Sequence, residues 1–276
     1  MNFYTKNDIL LPQNLSDQYI KKVERSRMKI NHKLNLMAQI SLLFQNNNIE
    51  HIFIKGEVLS KFIFDCYYQR VSSDIDILIL KEDFLKANEL LLEKGYKSTL
   101  NEHYQDIFHL NSHEVPYLCE GVCVELKFLT SSISDPDILQ TMFLDTKELI
   151  INEVIIKTFN FENTLISLIS NLYSNIENAY SSVCLRDILD LYFLIKYNFD
   201  KINLSNIFIL SEEYKLTHKM HSVLTEMNIL FDSELLLNVD LFSSLNSNYN
   251  WSAVGAFQNG WLVAKFIKNK TKAKKY

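Results

Sequence analysis

The sequence predicts an α+β protein in which a mixed β-sheet core, flanked by helices, is followed by a C-terminal helical bundle. Three observations predict this class. In the first half, short apolar runs rich in β-branched and aromatic residues alternate with helical stretches. Beyond residue 160, apolar residues recur almost only at helical spacing. Five glycines and three prolines are too few for the many tight turns of an all-β sandwich.

The first elements follow from the spacing of apolar residues. Residues 17–44 carry apolar side chains mostly three or four positions apart, which predicts one or two amphipathic helices. A short apolar strand is expected at His51–Ile54, and Lys55–Gly56 separates it from a helix over residues 57–67. The chain here has the order strand, glycine turn, helix.

Further strands and one helix complete the first half. Residues 71–80 are typical of a strand, and the next helix covers residues 84–94 and stops at Gly95, a favourable residue after a helix. Three more strands are expected at residues 96–100, 104–110 and 122–129. A last strand pair is a candidate at residues 148–159.

The second half is predicted to be helical. Four stretches have broad apolar faces at helical spacing: residues 164–178, 183–197, 216–231 and 251–268. We therefore divide the chain into three predicted units. N-terminal helices over residues 1–45 pack on a core over residues 46–155, and a helical bundle domain covers residues 156–276.

Composition and charge exclude several classes of protein and of binding partner, and the N-terminal residues bear on the expected compartment. Hydrophobic residues make up 47% of the chain and charged residues 22%, which excludes collagen-like and disordered proteins. A net charge of −5 opposes binding along extended nucleic acid and favours a small-molecule or nucleotide substrate. Residues 1–22 lack a secretory signal, and no apolar run reaches the length of about 18 residues that a membrane span needs. We expect a cytoplasmic protein without membrane contact.

The cysteines are expected to be free. Without a secretory signal, four cysteines in 276 residues indicate buried thiols rather than a disulfide framework. They are Cys66, Cys119, Cys123 and Cys184.

The most informative segment for chemistry is RVSSDIDILIL at residues 70–80. Successive side chains of a strand alternate faces, so Asp74 and Asp76 project to one side, about 7 Å apart along the strand. Two such carboxylates repel each other unless a cation compensates, and Mg²⁺ prefers hard oxygen ligands. Glu125 alternates with apolar residues in a later strand and is a candidate third carboxylate.

This ordered set resembles the DNA polymerase β-like nucleotidyltransferase superfamily. More narrowly, it is similar to the bacterial group of uncharacterised nucleotidyltransferases. The matching residues are IFIKG at 52–56, Arg70, DIDILI at 74–79 and Gly95–Tyr96. The resemblance covers about residues 30–130, so it places the catalytic core within the predicted sheet unit.

The resemblance implies transfer of a nucleoside monophosphate from a nucleoside triphosphate, such as ATP, to a hydroxyl or similar group. The acceptor would be an unknown small molecule, peptide or protein. The implied catalytic and metal-binding residues, which would hold two Mg²⁺ ions with Mn²⁺ as a substitute, are Asp74, Asp76 and Glu125. The implied nucleotide- and phosphate-binding residues are Lys55, Gly56, Arg70 and Lys127.

Two departures from the family pattern keep alternatives open. Glu57 stands where the superfamily usually has Ser, and an acid there would repel a triphosphate unless it faces away; it could also complement the helix dipole. Glu125 and Lys127 stand where the group commonly has Asp and His. The alternatives are a nucleotide-binding or interaction module of the same fold, and a kinase-like phosphotransferase that uses the same metal site.

Structural roles are also expected for several of these residues. Glu125 could pair with Lys127 or Arg70, and Arg70 could brace the carboxylates as a counter-ion. On a later predicted helix, Arg186 and Asp190 are four residues apart, which predicts an ion pair along the helix face. The functional alternative is that this helix contacts the base or the acceptor.

Overall fold

The computed structural model describes residues 13–99, 114–128, 135–177 and 185–231. Within these ranges the chain forms eight α-helices, a five-stranded sheet and a two-stranded hairpin. The predicted α+β class with a mixed sheet is confirmed. The strand expected at residues 104–110 and the helix expected at residues 251–268 lie outside the described residues.

The elements are numbered in chain order. The helices are α1 (Gln13–Gln45), α2 (Gly56–Phe64), α3 (Phe84–Glu93), α4 (Pro136–Leu144), α5 (Phe161–Glu177), α6 (Leu185–Asn198), α7 (Leu204–Glu213) and α8 (Thr217–Phe231). The strands are β1 (His51–Ile54), β2 (Asp74–Ile79), β3 (Lys97–Ser98), β4 (Glu114–Cys119), β5 (Val122–Lys127), β6 (Thr146–Ile151) and β7 (Val154–Phe159). Short 3₁₀ turns span Lys81–Asp83 and Phe199–Lys201.

The sheet has the strand order β1-β2-β5-β4-β3. Strands β2 and β5 are parallel, and the other neighbouring strands in this sheet are antiparallel. In the parallel pair, Asp76 is opposite Glu125 and Asp74 is opposite Cys123. Because opposite residues point to the same face, the two acidic strands present their polar side chains together.

The two faces of the sheet bury different cores. Ile75, Ile77 and Val124 pack on one face in a cluster that includes apolar residues of α1 and α3. Ile54 and Leu78, on the opposite face, join a cluster that includes residues of α2 and of α5 to α8. Asp76 is opposite Ile54 in the β1–β2 pair, so the acidic residues lie on the face that the helical half covers.

The hairpin of β6 and β7 extends the core beside the sheet. β7 lies against β1 and against α1, and its buried Ile156 belongs to the same cluster as Ile75. The last strand pair expected near residues 148–159 is therefore present, with bounds shifted by a few residues. The division into three units stays a prediction.

Three elements were not predicted: β4, α4 and α7. The proline at position 116 hides the strand character of β4, because proline is disfavoured within strands. The start of α4 does carry a signal, since Asp135 accepts a hydrogen bond from the Asp137 N–H and Pro136 follows it. Asn203 caps α7 in the same way by accepting from the Asn206 N–H.

The described residues include no membrane-spanning helix and three free cysteines. Within the described ranges, no helix is both long enough and apolar enough to cross a bilayer. The cysteines in these ranges, Cys66, Cys119 and Cys123, are free thiols, but they are half-buried rather than fully buried as expected. Cys184 lies outside the described residues.

Candidate active site

The acidic residues Asp74, Asp76 and Glu125 lie on one face of the parallel strand pair. Asp76 is largely buried, whereas Asp74 and Glu125 are half-buried. The thiol of Cys123 lies close enough to this face to respond to all three carboxylates. Burial raises the pKa of Cys123, and the charges of Glu125, Asp74 and Asp76 raise it further. The predicted acidic residues are thus neighbours in space.

Lys127 lies among these carboxylates. Its Nζ is 3.1 Å from Asp76 Oδ1 and donates a hydrogen bond of 2.8 Å to Glu125 Oε2. It also donates to Glu114 Oε2 on β4. The ammonium group therefore joins carboxylates from three neighbouring strands, and the Lys127 side chain is only 11% exposed.

The surrounding charges change the protonation behaviour of this cluster. Burial by itself would lower the pKa of Lys127, but Asp76 and the hydrogen bonds to Glu114 and Glu125 raise it above its ordinary value. Burial raises the pKa of Glu125, and the hydrogen bond from Lys127 opposes this shift. Lys127 is therefore a permanent cation at neutral pH.

The donor set fits a divalent ion only in part. Carboxylate oxygens such as those of Asp74 and Asp76 are ligands that Mg²⁺ prefers. Among the described residues, however, no three acidic, histidine or cysteine side chains converge closely enough to hold an ion. Lys127 engages both Asp76 and Glu125. Asp74, Asp76 and Glu125 therefore do not form the three-carboxylate cradle that two ions would need.

The Lys55–Gly56 turn brings the N-terminus of α2 close to β2. Both residues have positive φ, 57° at Lys55 and 46° at Gly56. A Cβ atom at Gly56 would lie 3.3 Å from Ser72 Oγ and 3.7 Å from the Asp74 carbonyl oxygen. No side chain caps α2, and the first N–H groups of a helix have no partner within it, so this N-terminus beside Asp74 is a candidate anion-binding site.

We expect Gly56→Ala to destabilise the protein by about 1–2 kcal/mol, because alanine resists this left-handed backbone conformation. The added methyl group should also shift the turn and weaken nucleotide affinity. Urea unfolding and calorimetric titration measure the two effects. Gly95→Ala is the matched control: Gly95 also has positive φ, but its added methyl group would meet no neighbouring side chain or backbone atom within 4 Å. An equal loss of nucleotide affinity in both variants would contradict the prediction that the Lys55–Gly56 turn binds the nucleotide.

Glu57 faces the protein interior. Its side chain is 1% exposed and forms an ion pair with Lys33 of α1. Ser72 Oγ donates to Glu57 at 3.2 Å, and Lys33 Nζ donates to the Ser72 carbonyl oxygen at 2.8 Å. The acid that stands after the glycine is therefore buried and paired with a cation of α1. Because Lys33 balances the charge of Glu57, this acid gives no reason to expect repulsion of a triphosphate.

Restoring the superfamily serine with Glu57→Ser is expected to destabilise the protein by about 1.5–3 kcal/mol, because buried Lys33 loses its charged partner. Ser72 would still accept hydrogen bonds from Lys33, which limits the loss. Urea unfolding checks the value. The double variant Lys33→Met, Glu57→Ser should recover most of the stability, and a single variant as stable as wild type would disprove the role of this pair.

Arg70 also contacts the Lys55–Gly56 turn. Its Nε donates to Asp190 Oδ2 of α6 at 2.8 Å, and its Nη1 donates to the Gly56 carbonyl oxygen at 3.3 Å. Burial raises the pKa of Asp190, while the charge of Arg70 opposes the shift. The predicted ion pair between Arg186 and Asp190 is wrong, because Asp190 turns inward to Arg70. Arg70 therefore connects the turn to the helical half.

Sequence reasoning missed three residues of this site, Lys33, Ser72 and Glu114, and it gave Asp190 the wrong partner. Lys33 carried a usable signal, since it lies three residues after Ile30 and four before Met37, both of which are buried. A cation on the apolar face of a helix indicates a buried partner. The others carried no comparable local signal.

Comparison with known proteins shows the family. The family model described as uncharacterised nucleotidyltransferase matches residues 5–232. No curated protein gives a significant match.

Among solved structures, the chain resembles the antibiotic-resistance factor ANT(2″)-Ia in solution. That match has 8% identity and a TM-score of 0.45, and it covers 67% of this chain and 91% of that one. The crystal structure of ANT(2″)-Ia with adenylyl-2″-tobramycin gives 8% identity, a TM-score of 0.45 and coverages of 67% and 97%. The crystal structure of an antigenic nucleotidyltransferase-like protein from Paracoccidioides brasiliensis gives 18% identity and a TM-score of 0.43. That match covers 59% of this chain and 75% of that one. At these identities and TM-scores, the substrates of the similar proteins cannot be assigned to this chain.

The family match includes every part of the site described above. It contains the Lys55–Gly56 turn, the Asp74–Asp76 pair and Glu125, and it extends through α8. The resemblance predicted from these residues is confirmed over most of the chain: the protein belongs to the uncharacterised nucleotidyltransferase family.

Proposed function

We propose that the protein transfers a nucleoside monophosphate from a nucleoside triphosphate to a hydroxyl or similar group of a small molecule or peptide, with the help of a divalent ion. One observation carries the proposal. The register of the parallel strands sets Asp76 beside Glu125, and the N-terminus of α2, which no side chain caps, lies next to Asp74 of β2. The carboxylates that would hold the ion and the N–H groups that would bind phosphate are thus adjacent.

The residues of the chain would divide the work of binding. The N–H groups at the start of α2 and the Lys55 ammonium would bind phosphate oxygens. Arg70 would act through the turn, by holding the Gly56 carbonyl oxygen. Mg²⁺ or Mn²⁺ bound by Asp74 and Asp76 would neutralise charge on the triphosphate and on the departing pyrophosphate.

The transfer step would use the cluster around Glu125. The acceptor oxygen forms a bond to the α-phosphorus, and the bond from that phosphorus to the bridging oxygen of pyrophosphate breaks. Pyrophosphate leaves with the electron pair, and Glu125 accepts the proton of the acceptor hydroxyl. Lys127 would hold Glu125 and Asp76 in place and add positive charge near the phosphates.

The experiment is to incubate the protein with Mg²⁺ and with each of the four common triphosphates, labelled at the α-phosphorus or at the γ-phosphorus. Small-molecule and peptide fractions serve as acceptors. The proposal requires pyrophosphate release and α-label on a product. Transfer of the γ-label would instead indicate a kinase-like phosphotransferase. Calorimetric binding of triphosphate without pyrophosphate release would indicate a binding module, and either result would overturn the proposal.

A further inference from the structure

The position of Lys127 limits how many metal ions the acidic face can hold. Its ammonium nitrogen is 3.1 Å from Asp76 Oδ1 and 2.8 Å from Glu125 Oε2, and it also contacts Glu114. The contact with Glu125 is a charge-assisted hydrogen bond, and the contact with Asp76 is a close ion pair. An ion shared by Asp76 and Glu125 would need the space and the oxygen atoms that the ammonium already uses.

The geometry of the strand keeps Lys127 in this place. Glu125 and Lys127 are two residues apart on β5, so their side chains lie on the same face. Lys127 is also opposite Glu114 in the β4–β5 pair. The cation is therefore held between its own strand and both neighbouring strands, and leaving the cluster would break three ion pairs.

The charge balance still leaves a place for one divalent ion. Four carboxylates, those of Asp74, Asp76, Glu114 and Glu125, belong to the neighbouring strands β2, β4 and β5. Lys127 pairs with the last three of them, whereas Asp74 accepts a hydrogen bond of 3.2 Å from the neutral Ser73 Oγ. Of these four carboxylates, Asp74 is the one that forms no ion pair with Lys127.

We propose that the Lys127 ammonium takes the place of one of the two metal ions expected at this face, so that the site binds a single divalent ion through Asp74 and Asp76. The inference rests on the proposed function for the location of the ion. It changes the ligand set: Glu125 would be held by Lys127 and would not be a metal ligand.

Counting bound Mn²⁺ tests the number of ions. The free-ion signal in electron paramagnetic resonance, recorded with Mn²⁺ alone and the full chain, measures bound ions per protein. We expect one ion for the wild-type protein and two for Lys127→Met, because that variant releases Asp76, Glu125 and Glu114 from the ammonium. Lys157→Met, which removes an exposed lysine paired with Glu50, is the matched control and should keep one ion. Two ions or none in wild type, or no additional ion in Lys127→Met, would overturn the inference.

Metal affinity tests the ligand set and does not depend on Lys127→Met being stable. Asp74→Asn should weaken Mn²⁺ binding at least about 10-fold, whereas Glu125→Gln should change it by less than about 3-fold. Equal losses in the two variants would show that Glu125 is a ligand and would overturn the inference. Both measurements use nucleotide-free protein. A protein that binds one ion in this way but releases no pyrophosphate would therefore remove the proposed function and leave the inference standing.

Discussion

The Asp76→Asn variant is expected to transfer nucleotide about 100- to 1,000-fold more slowly than the wild-type protein. Asp76 has two roles that asparagine cannot take. Its carboxylate is a proposed ligand of the divalent ion, and it is also an ionic partner of Lys127. Asparagine has nearly the same shape, so the loss should come from charge rather than from packing. Pyrophosphate release at saturating triphosphate and Mg²⁺ measures the effect.

Asp65→Asn is the matched control for this substitution. Asp65 is an exposed carboxylate just after α2, where it pairs with Lys61 at 2.7 Å. Removing its charge should leave the rate unchanged. Thermal unfolding of both variants would show that they remain folded. If Asp76→Asn kept the wild-type rate while folded, the acidic face would not be the place where transfer occurs.

Arg70→Met is expected to destabilise the protein by about 3–5 kcal/mol at neutral pH, because it leaves the buried carboxylate of Asp190 without its cation. Both side chains of this pair are only 7% exposed. The double variant Arg70→Met, Asp190→Leu should recover most of the loss, since apolar side chains can replace a buried ion pair. Urea unfolding measures all three proteins. Lys61→Met, from the exposed pair with Asp65, should change stability little.

The loss in Arg70→Met should depend on pH with a defined sign. Burial already raises the pKa of Asp190 above its ordinary 3.8, and Arg70 opposes that shift. Without Arg70 the folded-state pKa rises further, so the folded protein binds a proton more tightly than the unfolded chain. Stability is then lost as the pH rises through the folded pKa, and the variant should be least impaired near about pH 4 and most impaired near about pH 7. A loss that is independent of pH would show that removing Arg70 does not change the folded-state pKa of Asp190.

The connection of Arg70 to both Asp190 and Gly56 gives this variant a second effect. The Gly56 carbonyl oxygen loses the Arg70 donor, so the turn that precedes α2 should become less well held. We therefore expect weaker triphosphate binding in Arg70→Met even under conditions where the protein is fully folded.

Local periodicity was enough to predict much of the fold. The alternation in β2 placed Asp74 and Asp76 on one face, and the same alternation in β5 placed Glu125 with Lys127. The helical spacing before and after the sheet predicted α1, α5, α6 and α8. Elements with interrupted signals were missed, as β4 shows with Pro116. These successes concern interactions within a few residues of each other along the chain.

The sequence by itself determined which acidic residues share a face, the presence of a glycine turn before α2, and the family to which the pattern belongs. Only the tertiary structure decided the partners of the charged groups: Glu57 with Lys33, Arg70 with Asp190, and Lys127 with Asp76. Arg70 and Asp190 are 120 positions apart, and their pairing depends on how α6 packs beside the turn. Side-chain periodicity is a local property of the backbone, whereas a buried ion pair depends on the packing of distant elements, so one sequence can indicate that a buried charge has a partner but not which residue it is.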